Sequence, residues 1–148
     1  MTQITPLIGR KDKIDIPAFG LENVSVKIDS GAYSCSIHCE SVQEIDGQLE
    51  VVFLDDSLPK YTGQPHYFNE FTRKSVKSST GEKQNRYFIR CEIVLFGRSY
   101  PADFSLTKRS GLKNPILIGR KILNKQFLID TSKVNLSFKE KLKQRKNA

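Results

Sequence analysis

At 148 residues the chain has the length of one domain and can bury a core without disulfide staples. Its 38% apolar content, with nine Phe and five Tyr, excludes a disordered polar chain, and no apolar run is long enough to span a bilayer. The net charge of +8, from 24 Lys and Arg against 16 Asp and Glu, favours an acidic partner by long-range attraction, with nucleic acid and a glutamate-rich peptide both compatible.

In chain order, the segment from Met1 to Pro6 lacks a charged start followed by an apolar stretch, so no signal peptide is expected. Ile14-Asp15-Ile16 reads as a strand running into Pro17, and Phe19-Gly20 as a turn before the alternating strand Val24, Val26, Ile28. That strand runs directly into Asp29-Ser30-Gly31-Ala32, a turn that carries a carboxylate. Leu49 to Leu54 is a compact apolar run, followed by a polar loop in which Asp55 and Asp56 are expected to be solvated. Phe71 to Ser78 and Asn85 to Ile89 flank the polar turn Ser79-Thr80-Gly81-Glu82, which predicts a β-hairpin able to close over a substrate. From Tyr87 to Leu95, apolar positions recur with period two, and Gly97-Arg98 turns the chain into a second long strand from Tyr100 to Leu106.

Ile116-Leu117-Ile118 has the composition of a buried strand and ends on Gly119-Arg120, where Gly119 to Lys125 predicts one short helix. Phe127 to Ile129 and Val134 to Phe138 read as a last pair of strands. Residues 139–148 hold five cations against Glu140, half of the net charge, and read as a solvated tail. With no internal repeats, these signals predict an all-β domain over residues 1–138, closed or nearly closed, followed by the basic tail 139–148.

Three cysteines, Cys35, Cys39 and Cys91, are an odd and sparse set that suits a reducing cytoplasm. Cys35-x-x-His38-Cys39 is the one cluster with ligand chemistry, but on a strand Cys35 and Cys39 share a face that His38 does not. There is no His-Glu-x-x-His, and His38 and His66 are the only histidines, so no metal is expected and His38 reads as a hydrogen-bonded structural residue. The chain also lacks a Gly-rich phosphate loop, so neither ATP nor another cofactor is expected.

The pairing of Ile28-Asp29-Ser30-Gly31-Ala32 with Ile116-Leu117-Ile118-Gly119-Arg120, about ninety residues later, resembles the retropepsins. These are homodimeric aspartic proteases in which each subunit supplies one Asp from an Asp-Thr/Ser-Gly-Ala turn. Ile8-Gly9-Arg10, His38, Arg86-Tyr87, the stretch from Pro115 to Leu123 and Phe127 to Asp130 narrow the likeness. They are similar to a bacterial and archaeal group of retropepsin-like proteins labelled ATP-dependent zinc proteases and associated with ATP-grasp ligases that add glutamate to protein or peptide ends. The resemblance covers Leu7 to Asp130.

It implies a retropepsin-like acid protease barrel and a homodimer. Asp29 would be the catalytic acid, Ser30 its hydrogen-bonding neighbour and Gly31 the residue that permits the turn. Activity would be hydrolysis of a peptide or amide bond, with glutamate-rich or ligase-made ends as the implied substrates. In this sequence Tyr33 and Ser34 stand where retroviral members carry the acidic partner of the Gly-Arg arginine, so Arg120 needs another partner, a backbone carbonyl or a carboxylate such as Asp130. Three rival readings stand beside the protease. Asp29 can simply cap its own turn; the domain can be a non-catalytic module that docks an acidic protein; or Tyr67, Phe68, Phe71 and Arg73 can stack bases in an RNA-binding barrel. The last is disfavoured, because most aromatics fall on strand faces where core packing accounts for them.

Overall fold

The computed structural model describes residues 5–77, 81–108 and 113–146. Within them the strands are β1 (Leu7–Ile8), β2 (Lys11–Ile16), β3 (Leu21–Ile28), β4 (Cys35–Ile45), β5 (Gln48–Phe53), β6 (Pro65–Phe68), β7 (Thr72–Lys77), β8 (Lys83–Leu95), β9 (Arg98–Thr107), β10 (Ile116–Ile118) and β11 (Leu128–Ile129). Two α-helices, α1 (Arg120–Leu123) and α2 (Leu136–Lys146), complete the set. A 3₁₀ turn over Pro17–Phe19 separates β2 from β3, as the Pro-x-Phe-Gly sequence predicts.

Six strands close a ring in the order β10-β3-β2-β8-β9-β4, because β10 pairs with both β3 and β4. The β5-β6 pair extends from β4, and β7 extends from β8. Closure leaves the ring without a free edge, which removes the usual hazard of an unpaired strand. Strict alternation on β2, β3 and β8 sends Ile14, Ile16, Val24, Val26, Ile28, Ile89 and Ile93 into one core with Ile37, Phe104, Ile116 and Ile118. Phe19 stacks on Phe53 at 4.2 Å and Phe68 meets both edge-on, closing the end of the ring beside β5 and β6. Phe68 and Phe71 therefore pack against the core, which removes them from the base-stacking role; Tyr67 remains exposed.

The expected hairpin forms, with β7 and β8 antiparallel from Thr72↔Phe88 to Lys77↔Lys83, while residues 78–80 of its tip lie outside the described residues.

The C-terminal region departs from expectation. Val134 makes a single parallel bridge to Lys11, and Leu136 to Phe138 are helical instead of extended. β11 pairs in parallel with β1, not with a strand at 134–138. Residues 139–146 continue α2. The cause is a contact across the whole chain. Buried Asp12 on β2 accepts the Ser137 and Phe138 backbone N–H groups at 2.9 and 3.1 Å, satisfying two of the unpaired donors at the start of α2. One turn on, Lys141 donates to Asp15 at 2.8 Å and to Asn23 at 2.7 Å, and Arg145 reaches Glu22 at 2.9 Å. The cap and its charge partners come from more than 110 residues away, so no local signal reveals them.

Candidate active site

Asp29 stands at the end of β3, where the chain leaves the ring. Ile28 before it is buried, and Ser30 and Gly31 after it are exposed. Three backbone contacts hold the turn. The Asp29 N–H donates to the Ile118 carbonyl at 2.9 Å, the Ile28 N–H to the Arg10 carbonyl at 2.9 Å, and the Ala32 N–H to the Asp29 carbonyl at 3.2 Å. The Asp29 carboxylate accepts the Gly31 N–H at 3.0 Å through Oδ1. Its other oxygen takes no hydrogen bond among the described residues. One lone-pair set thus fixes the carboxylate's orientation, and the others have no partner among the described residues.

The second motif is the clamp on this turn. β10 lies parallel to β3 with Ile118 opposite Ile28, which delivers Gly119-Arg120 beside Asp29. Arg120 donates through its guanidinium to the Ser30 carbonyl at 3.0 Å, and its backbone N–H donates to the Ala32 carbonyl at 2.8 Å. The open question of its partner resolves to a backbone carbonyl. Asp130 instead accepts from Ser132, whose hydroxyl and backbone N–H hold its carboxyl below the usual carboxylate range. The guanidinium also sits 5.9 Å from the centre of the Tyr33 ring. Gly119 is required by crowding, since a Cβ there would lie 2.5 Å from the Ser34 carbonyl oxygen and 2.7 Å from that of Tyr33. Gly9 has the same role in the first Gly-Arg pair: a Cβ would lie 2.1 Å from the Lys133 carbonyl oxygen.

His38, Cys35 and Cys39 do not converge on a ligand. His38 is buried and its Nε2 lies 2.7 Å from Asp55 Oδ2. Asp55 is therefore not the freely solvated loop residue expected, although Asp56 is exposed. Ser57 bonds to Asp55 through its hydroxyl and backbone N–H, and these contacts, then His38, hold that carboxyl low. Burial pushes the Cys35 thiol up to about 11 and the Cys91 thiol to about 12, and raises Cys39 further. Among the described residues no group of three or more His, Cys, Asp or Glu is placed to hold a metal ion. No helix among them is long and apolar enough to cross a membrane.

Sequence reasoning missed the residues on the sheet next to the turn. Lys121, directly after Arg120, forms an ion pair with Asp103 on β9. Ser105, two residues on, is buried with its hydroxyl unpartnered among the described residues. Asp103 and Ser105 sit within the alternation of β9, where a short polar residue looks like an ordinary outward position.

A closed β ring in which an Asp-Ser-Gly turn is pinned by an Ile-Gly-Arg strand defines the retropepsin-like class. The model of the retropepsin-like aspartic endopeptidase RimB family matches residues 7–140, and the chain belongs to that family. Similar curated proteins include one named "Probable alpha-L-glutamate ligase" from Shewanella pealeana, 27% identical over 130 residues. Another of the same name, from Parasynechococcus marenigrum, is 24% identical over 132 residues. These alignments cover 85% and 84% of this chain and, in each case, only 28% of the relative, so the chain spans about a quarter of their length. Among solved structures, Lpg0085 of Legionella pneumophila, of unknown function, superposes with a TM-score of 0.70 at 21% identity, covering 90% of this chain and 99% of that one. That likeness concerns the fold.

Proposed function

We propose that the chain is an aspartic-type peptidase that acts as a homodimer, each subunit contributing Asp29. The observation that carries this reading is the clamped turn, in which Ile118 and Arg120 hold the backbone around Asp29 while one carboxylate oxygen is left unengaged among the described residues. One chain has one such turn, so a second carboxylate must come from a second copy across a two-fold axis. Two carboxylates at that distance share one proton and titrate as a pair. The ionised member takes a proton from water, the protonated member polarises the scissile carbonyl, and the leaving amide nitrogen receives a proton as the bond breaks. No covalent intermediate and no cofactor enters.

A pairing surface lies close by. Leu7, Leu128 and Ile129 on the small β1-β11 sheet are exposed apolar residues, and Arg10, just past β1, accepts the Ile28 N–H next to Asp29. The substrate is read as a peptide or protein end rich in acid, in keeping with the net charge of +8. Asp29→Asn keeps the shape of the turn and removes the ionisable pair. Its hydrolysis of a peptide that the native protein cleaves should fall by at least about a thousandfold. Retention of full activity would remove the catalytic assignment.

A second reading rests on the relatives. Their names and greater length favour a module that docks a glutamate ligase or its acidic product without cleaving it. Binding that fades with ionic strength while the bound peptide stays intact would favour this module over the peptidase.

A further inference from the structure

The outer face of the β2-β3 pair is cationic. Val24, Val26 and Ile28 are buried in the core, so Ser25 and Lys27 between them project outward. Register sets Lys11 opposite Lys27 and Lys13 opposite Ser25 on that face. Like charges directly opposite each other oppose pairing. The next acid on that side of β2, Asp15, is already engaged. Its carboxylate accepts Lys141 and the Asn23 N–H, each at 2.8 Å.

Lys13 also lines a cavity of about 170 Å³ that the loop after β5 and the residues before β10 help to enclose. Lys60 and Lys113 line it with Asn23 and Ser25, and Leu58 and Pro59 give it an apolar wall. No Asp, Glu or Arg is among its described lining residues. None of the three lysines forms an ion pair among the described residues, and Lys13 Nζ lies 4.6 Å from the centre of the Phe138 ring. Lys141 donates to Asn23 Oδ1 at 2.7 Å, so only the amide donors of that side chain are left for the cavity. Asn23 and Lys60 both have positive φ, 55° and 75°. Non-glycine residues in that region cluster at ligand clamps, where other contacts hold them, as the Asp15 hydrogen bond holds Asn23.

We propose that this cavity binds the phosphate group of a small anion, either free phosphate or the terminal phosphate of a nucleotide. Its polar lining offers donors: three ammonium groups, the Asn23 amide and the Ser25 hydroxyl. Lysines act as point charges and suit a tetrahedral dianion approached from several directions. A planar carboxylate is matched best by the fork of an arginine, which the described lining lacks. The apolar wall strengthens each of these contacts by excluding water. The donors come from four separate stretches of chain, so no Gly-rich loop marks the site in the sequence. Ser25 precedes Asp29 by four residues, roughly 13 Å along an extended strand, so the site is separate from the Asp29 turn. Its occupancy does not depend on whether Asp29 is catalytic.

The test is calorimetric titration of the full chain with inorganic phosphate, ATP, a Glu-Glu-Glu peptide and a single-stranded RNA oligonucleotide, all at one ionic strength set with chloride. At least one of phosphate and ATP should bind in a single saturable step and raise the melting temperature. Whichever binds more tightly identifies the source of the phosphate group, and either result supports the site. Lys60→Gln and Lys113→Gln should each weaken that binding by about tenfold, the worth of one charge-assisted hydrogen bond. Asn23→Asp keeps an oxygen for Lys141 and tolerates the same backbone, but replaces the amide donors with a charged acceptor. It should abolish binding, with a melting temperature no lower than that of the native protein.

Absence of binding and of any thermal shift with both phosphate and ATP overturns the site, as does binding that survives all three substitutions. A Glu-Glu-Glu peptide that displaces the anion at equal concentration overturns it too, since the face would then attract any acid. So does binding of the RNA without binding of phosphate or ATP, which would mean an extended polyanion surface. Asp29→Asn should bind the anion as the native protein does, and loss of binding in that variant would move the anion to the Asp29 turn and end the proposal. Peptide hydrolysis is scored separately, so failure of the peptidase reading leaves the phosphate site untouched.

Discussion

Gly119 shapes the Asp29 turn through the space it leaves for its neighbours. Its backbone is extended, so the requirement is space and not an unusual dihedral angle. A methyl group at 2.5 Å from the Ser34 carbonyl oxygen meets backbone that cannot rotate away. Gly119→Ala should destabilise the fold by about 3 kcal/mol, read as a melting temperature lowered by roughly 10 °C, and should misplace Asp29 through the Ile118 and Arg120 contacts. An unchanged melting temperature would show that the two loops can separate at little cost. The cysteines carry a second expectation. With Cys35 raised to about 11 and Cys91 to about 12 by burial, almost no thiolate exists at neutral pH. Thiol reagents should label all three slowly until the protein unfolds, and rapid labelling of the native protein would contradict this packing.

At the scale of elements, α2 is the clearest case of structure imposed from a distance. Its sequence, Leu136 to Lys146, has little apolar patterning of its own and would not be helical in isolation. Asp12, Asp15, Asn23 and Glu22 supply the cap and the charges that hold it. Ending the chain after Asn135 should cost more than about 2 kcal/mol, since Asp12 would be left buried without its two N–H donors from α2. A melting temperature equal to that of the full chain would mean that the helix is not anchored. The pH dependence follows from the same residue. Desolvation raises the Asp12 carboxyl above its usual range in the folded state, against the opposing effect of the Ser137, Lys13 and Phe138 N–H groups. A raised acid contributes its full stability below the unfolded value near 4, and that contribution is lost as pH rises through the folded value. Asp12→Asn, which keeps a capping oxygen, should therefore gain in melting temperature relative to the native protein between about pH 3 and pH 7. A constant difference across that range would refute the desolvation argument.

For the whole molecule, the central question is assembly. The proposed reaction needs two Asp29 carboxylates, so activity per chain should fall on dilution in step with loss of dimer mass. Leu128→Lys places a charge on the exposed β1-β11 sheet. It should raise the dimer dissociation constant by at least tenfold without lowering the melting temperature of the monomer. Sedimentation velocity and light scattering across a concentration series read both quantities. Full activity from a demonstrated monomer would end the paired-carboxylate proposal.

Much of this architecture was legible in the chain. Period-two alternation marked β3, β8 and β9, because each strand buries one face, and the apolar run Ile116 to Ile118 marked a strand buried between two neighbours. The retropepsin-like pairing of an Asp-Ser-Gly turn with a distant Ile-Gly-Arg strand was legible for the same reason: a tight turn and a close backbone approach demand particular residue types. What escaped were features built from partners far apart in sequence. A strand was expected at Val134–Phe138 because those residues alternate, but the Asp12 carboxylate on β2 made the segment a helix. Asp55 looked like loop solvent contact until His38 was brought to 2.7 Å from it. Ser105 was one small polar residue in a strand, and only the folded sheet shows its hydroxyl buried without a partner among the described residues. Local alternation and turn chemistry act within a few residues and can be read in order. Which polar groups become neighbours, and which are left unpaired, is decided by ring closure and by contacts spanning up to 126 positions.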